Sequence, residues 1–197
     1  MNERVQRGFS LIEMLVSMAV LLAAMAGLAS LLIQNARVNK AQQMTVDVQS
    51  NARNCLSLIV QELRSAGWNP MNVSGMSTVI TDQDLSDGIS EIEVFADLDE
   101  DGLTDSVDEQ MLIRHVGNQV LWRPTNDPND PFIVLATNIS NDADGDGVPE
   151  PMFVPDTTPD PTRITVRITA QSPVPDPTSN RFIRYTVSSD VVLRKTL

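Results

Sequence analysis

The spacing of apolar residues divides this chain into three stretches. From Phe9 to Ile33 almost every position is apolar, FSLIEMLVSMAVLLAAMAGLASLLI, and Glu13 is the one charge in the run. A helix over these residues is roughly 37 Å long, enough to cross the ~30 Å hydrocarbon layer of a bilayer. From about Gln34 to Ala66 the apolar residues thin to a single stripe. Met44, Val48, Ala52, Cys55, Ile59 and Leu63 recur at steps of four or three, widened by Leu56 and Val60, which is the pattern of an amphipathic helix. Gly67 is a plausible stop and Pro70 prevents resumption, so one continuous helix from Phe9 to about Ala66 is expected. Beyond Pro70 the period changes to two, and turn residues become frequent. ISEIEVF (89–95), QMLIRHV (110–116), QVLWR (119–123), FIVLATNI (132–139), RITVRITA (163–170) and FIRYTVSSDVVLR (182–194) read as strands, with Gly117-Asn118 as a tight hairpin connection. An antiparallel sheet packed on the amphipathic half of the helix is the economical arrangement, an α+β fold.

The residues ahead of the apolar run change this picture. MNERVQRG carries Arg4 and Arg7 against Glu3, which places this end in the cytoplasm and everything after Ile33 outside. The run is too long for an ordinary secretory signal. A carboxylate near its start is costly, about 2.5 to 3.5 kcal/mol at a helix centre and less near an end, so Glu13 is expected to have a partner or a task.

Taken together, RGFSLIEMLV resembles the signal of type IV prepilins and of the pseudopilins of type II secretion: Gly8 directly before Phe9, a basic leader, and Glu13 as the fifth residue after the implied cut. The resemblance implies a pilin-like fold, cleavage between Gly8 and Phe9 by a membrane-embedded prepilin peptidase, and methylation of the new N-terminus. It also implies that Glu13 pairs with the Phe9 ammonium of a neighbouring subunit, which offsets the desolvation of both ions. The stretch ELRSAGWNP, with Arg64, Ala66, Gly67 and Trp68, is similar to the end of this helix in PilW-like minor pilins and J-type pseudopilins, and the closing RYTVSSDVVLRKTL resembles their last strand. Unlike the major pilins, the span has no proline.

The implied organisation is a leader at 1–8, a transmembrane or filament-core helix at 9–33, an amphipathic helix at 34–67 and an antiparallel β head at 68–197. The partners expected are other minor and major pilins or pseudopilins, the peptidase and an inner-membrane assembly platform.

Charge and composition narrow the chemistry further. A net charge of -12 and a pI near 4.3 argue against nucleic acid. One cysteine, Cys55, excludes an internal disulfide and a cysteine zinc cluster, and its place on the apolar stripe reads as a small buried hydrophobe. His115, the single histidine, lies in an expected strand, and no triad or paired acid–base constellation is visible, so no enzymatic activity is expected.

The acidity itself is organised. In DLDEDGLTDSVDE, Asp97, Asp99 and Asp101 take alternate places, Gly102 permits the turn, Leu103 offers a carbonyl, and Asp105 and Asp108 fall at the ninth and twelfth places of a calcium loop. Glu109 lies one place beyond that pattern. The second loop, NDADGDGVPEP, offers Asp142, Asp144, Asp146, the Val148 carbonyl and Glu150, with no acid at the twelfth place. Calcium is the cofactor expected, more in the first loop than in the second. The proline-rich connections PTNDPNDPF, PEPMFVPDTTPDPT and SPVPDPTSN read as exposed, semi-rigid loops.

The function implied is that of a minor pilin that helps to initiate or cap a type IV pilus. A J-type pseudopilin shares these features. A membrane-anchored, calcium-dependent adhesin or binding module is the alternative of another class.

Overall fold

A computed structural model describes residues 10–70, 79–81, 89–125, 127–158 and 161–193. The leader and the Gly8–Phe9 bond therefore lie outside the described residues. Helix α1 runs Leu11–Leu63 without a break. Not one of its residues up to Lys40 is buried, whereas Met44, Val48, Ala52, Cys55, Leu56, Ile59 and Leu63 are. The stripe read from the spacing is thus the buried face, and a fully buried leucine or isoleucine on it contributes roughly 1.5–3 kcal/mol. Cys55 sits within that face, and burial pushes its thiol up to about 12.

The helix ends where the glycine and proline punctuation placed it, within three residues. After Leu63 the chain makes a turn in which Gly67 adopts φ +71°, and the Gly67 N–H donates to the Phe95 carbonyl at 2.8 Å. Asp97 N–H donates to the Trp68 carbonyl at 2.9 Å. The helix exit is stitched in this way to the end of a strand and to the start of the first acidic loop.

Among the described residues eight strands follow: β1 (Val79–Thr81), β2 (Ile89–Phe95), β3 (Gln110–Val116), β4 (Gln119–Arg123), β5 (Ile133–Thr137), β6 (Phe153–Pro155), β7 (Arg163–Gln171) and β8 (Arg184–Val192). The β3–β4 hairpin pairs Val116 with Gln119 across Gly117-Asn118, with Gly117 at φ +62°. All pairings are antiparallel, but they form two sheets and not one: β1-β2-β3-β4-β5 and β6-β7-β8. The division falls at Asn138 and Asn141, which take φ 59° and 46° and turn the chain out of the first sheet. Asparagine reaches this region more readily than most residues. The segment between them attaches to the second sheet through the Ile139–Ala170 bridge and through Ser140 and Asn141 N–H donating to the Thr169 carbonyl. His115 Nε2 donates to the Ile139 carbonyl at 2.9 Å from a buried position, and desolvation holds its pKa below the usual histidine value.

Helix α1 lies against β7 and β8, and both sheets contribute to one core. From the first sheet come Ile92, Val94, Ile113, Val120 and Ala136; from the second come Phe153, Ile164, Val166, Ile168 and Val191. The reading of PEPMFVPDTTPDPT as an exposed loop is corrected at this point. Met152 and Phe153 are fully buried, and β6 begins at Phe153. Pro155 is compatible with β6 because that strand is an edge, where a missing N–H costs no ladder bond.

Candidate functional site

The start of α1 is built by a reciprocal cap. Ser10 Oγ accepts the Ile12 N–H at 3.3 Å and the Glu13 carboxylate accepts the Ser10 N–H at 3.3 Å. Ser10 was not singled out from the sequence, although the S-x-x-E spacing before an apolar run is a recognisable helix-start signal. The carboxylate thereby sits at the positive end of the helix dipole. Only one of its oxygens is engaged, and Glu13 Oε1 has no partner among the described residues. Around it Leu11, Ile12, Met14 and Leu15 are all exposed, at 64 to 83%. A carboxylate with free bonding capacity thus stands at the base of a helix whose apolar surface has no cover among the described residues.

The first acidic loop joins β2 to β3. Asp97 is fully buried; its Oδ1 accepts the Asp101 N–H at 3.2 Å and its Oδ2 the Gly102 N–H at 3.1 Å. Asp99 accepts from Asp101 N–H, and Asp101 from Leu103 N–H. A 3₁₀ turn, Val107–Glu109, brings the buried Glu109 back over the loop, where it accepts the N–H groups of Leu98, Asp99 and Ser106 at 2.9, 3.3 and 3.0 Å. Asp97, Asp99 and Glu109 each place a carboxylate oxygen within 4.8 Å of the others. Asp101 lies outside that group, as do the exposed Asp105 and Asp108. Glu109, one place beyond the calcium-loop pattern, is the acid that converges: the 3₁₀ turn takes up the extra residue.

The second loop joins β5 to β6 and repeats three of the four aspartate hydrogen bonds. Asp142 accepts from Gly145 and Gly147, Asp144 from Asp146, and Asp146 from Val148. Asp142, Asp144 and Asp146 also lie within 4.8 Å of one another. Two arginines from the second sheet occupy its flanks. Arg184 stands 3.5 Å from Asp142, and Arg167 bonds Glu150 at 3.1 Å. Neither arginine was legible as part of this loop in the sequence, because both come from strands far along the chain.

The prokaryotic N-terminal methylation motif matches residues 4–29. It is the signal of type IV prepilins, and it spans the leader and the first part of the apolar run. The match marks this N-terminus as a type IV prepilin-like signal, of the kind carried by proteins that a prepilin peptidase processes and that assemble with other pilins. Searches of curated proteins and of solved structures found no match.

Proposed function

We propose that this chain is a minor pilin, a structural subunit that helps to initiate or cap a type IV filament after a prepilin peptidase cuts between Gly8 and Phe9. Before cleavage the chain is held in the inner membrane by one pass of α1, with its N-terminus in the cytoplasm. The observation that carries this reading is the half-satisfied Glu13 carboxylate at the base of an apolar helix that no described residue of the head covers. Neighbouring apolar helices replace lipid around that surface in a fibre. The Phe9 ammonium of an adjoining subunit supplies the missing partner for Glu13, and a pair of this kind is tolerated in a dry core only when both ions are present.

The test is expression beside a prepilin peptidase, a pilus assembly machinery or a type II secretion machinery. N-terminal sequencing is expected to begin at a methylated Phe9, and the protein to be recovered in sheared filaments. An intact Met1 in the presence of active peptidase sinks the reading. Glu13→Ala is expected to be cleaved and yet to be lost from filaments; normal incorporation removes the charge pair alone. Whether pilus or pseudopilus fractions contain the protein distinguishes the minor pilin from the J-type pseudopilin.

Calcium in the first loop is part of the same proposal, supported by the convergence of Asp97, Asp99 and Glu109. An oxygen cage with several carboxylates suits a hard cation, and loops of this class in extracellular proteins bind at about 10⁻⁴ to 10⁻³ M. Binding clips the loop to the helix exit, which steadies a head that has no disulfide.

A further inference from the structure

Between Glu13 and Asp47 the chain carries only two charges, Arg37 and Lys40, and both are positive in a protein of net charge -12. Neither has an ion-pair partner among the described residues. Burial on α1 begins at Met44, yet one part of the head reaches further down the helix. The β7–β8 connection brings Pro177 and Thr178 alongside Ser30, Ile33, Gln34 and Arg37, enclosing an open cavity of about 430 Å³. That connection is a tight, preformed tip. Asp176 N–H donates to the Arg181 carbonyl at 2.9 Å, and Asn180 adopts φ 55°. Its own acid is engaged within the tip: the Asp176 carboxylate accepts Thr178 N–H, Ser179 N–H and Ser179 Oγ–H at 3.0, 3.0 and 2.7 Å. The tip exposes two apolar side chains, Val174 at 48% and Phe182 at 45%, beside Arg181.

The depth of this cavity is set by the helix. Counted from Leu11, about 20 residues cross the ~30 Å hydrocarbon layer, so α1 leaves it near Leu31, and Arg37 stands about 9 Å further on. Helical side chains lean towards the N-terminus, so the Arg37 guanidinium points back to the membrane surface. A cation, hydroxyl and amide groups and an aromatic tip therefore meet at the level of the lipid headgroups.

We propose that Arg37, Lys40 and the 173–182 tip form a collar that seats the head on the outer face of the membrane by holding the phosphate of an anionic phospholipid. This rests on the reading of α1 as a membrane span. Charge complementarity selects the occupant: a region with two unpaired cations on an acidic protein, at headgroup depth, meets a surface of phosphates. Val174 and Phe182 enter the interface beside them. Seating fixes the height and tilt of the head before a subunit leaves the bilayer for a fibre.

The experiment places the full chain, one copy per disc, in lipid nanodiscs with and without phosphatidylglycerol. A spin label at Thr178→Cys reports depth through relaxation by water-soluble and lipid-soluble agents; the buried Cys55 leaves the label to the new site. A second label at Ala24→Cys reports the span itself. The Thr178 label is expected at headgroup depth only with phosphatidylglycerol, and free inorganic phosphate is expected not to displace it. Arg37→Gln and Lys40→Gln are each expected to lower the seated population about fivefold. A water-exposed Thr178 label with a lipid-buried Ala24 label overturns the collar and leaves the span intact. A water-exposed Ala24 label overturns the span reading. Seating that ignores phosphatidylglycerol, that free phosphate abolishes, or that needs several copies per disc also overturns the collar.

Discussion

The two acidic loops have the same local design and different company. In each, three aspartates alternate, the first is buried, and positive φ falls at the fourth and sixth places: Glu100 (65°) and Gly102 (85°) in one, Gly145 (85°) and Gly147 (89°) in the other. In each, the first carboxylate accepts the N–H of the sixth residue, the third place that of the fifth, and the fifth place that of the seventh. What differs is the group that closes the loop. The first receives another carboxylate, Glu109; the second receives a guanidinium, Arg184. Like charges brought together call for an external cation, and an internal cation makes one less necessary. A short sequence pattern thus sets the backbone of both loops, while the group that closes each sets its charge: a 3₁₀ turn within the first loop and a distant strand at the second.

The largest effect is expected from Asp97→Ala. It strips two N–H groups of a fully buried acceptor, at a cost of about 1–3 kcal/mol in calcium-free urea unfolding of the full chain in detergent. Equal destabilisation by Asp142→Ala, where Arg184 is also released, would break the asymmetry between the loops. Calcium sharpens the contrast. At tenfold to hundredfold excess over its dissociation constant it is expected to stabilise the protein by about 1.4–2.7 kcal/mol. That gain is expected to vanish in Asp99→Asn and Glu109→Gln and to persist in Asp144→Asn, as read by thermal unfolding.

A smaller effect should come from His115, which ties the strand leaving the first loop to the segment entering the second through the Ile139 carbonyl. Burial lowers its folded pKa below the unfolded value of about 6.5, so the unfolded chain binds the proton more readily. The penalty is absent above pH 6.5 and grows as pH falls from there towards the folded pKa. Wild type is expected to lose stability over that window more steeply than His115→Gln, and parallel pH curves would exclude this role. The smallest change is expected from Arg184→Gln, whose partly exposed ion pair contributes roughly 0.2–1 kcal/mol. Its informative readout is calorimetric: removal of the guanidinium should strengthen calcium binding at the second loop.

Much of the molecule was legible beforehand because it follows short periods. The 3.6-residue stripe identified every buried residue of α1, and two-residue alternation located β2, β3 and β4 to the residue. The signal at the N-terminus and the alternating aspartates are equally local, as is the capping box in the S-x-x-E spacing of Ser10 and Glu13. β1 and β6 are three residues each, too short to show an alternation, and prolines masked the buried Met152–Phe153 pair.

By itself, then, the amino-acid order determined the long helix, its apolar and amphipathic halves, the prepilin-type signal and the backbone of both loops. Each depends on residues within a turn or two of one another, where sterics and hydrogen bonding act without the rest of the chain. Tertiary structure alone decided the division into two sheets, the arrival of Arg184, and the descent of the 173–182 tip beside α1. The arrival of Glu109 was decided closer at hand, by a 3₁₀ turn inside its own loop. The others depend on the pairing of strands far apart in sequence, and no local spacing encodes which partner will lie across the gap.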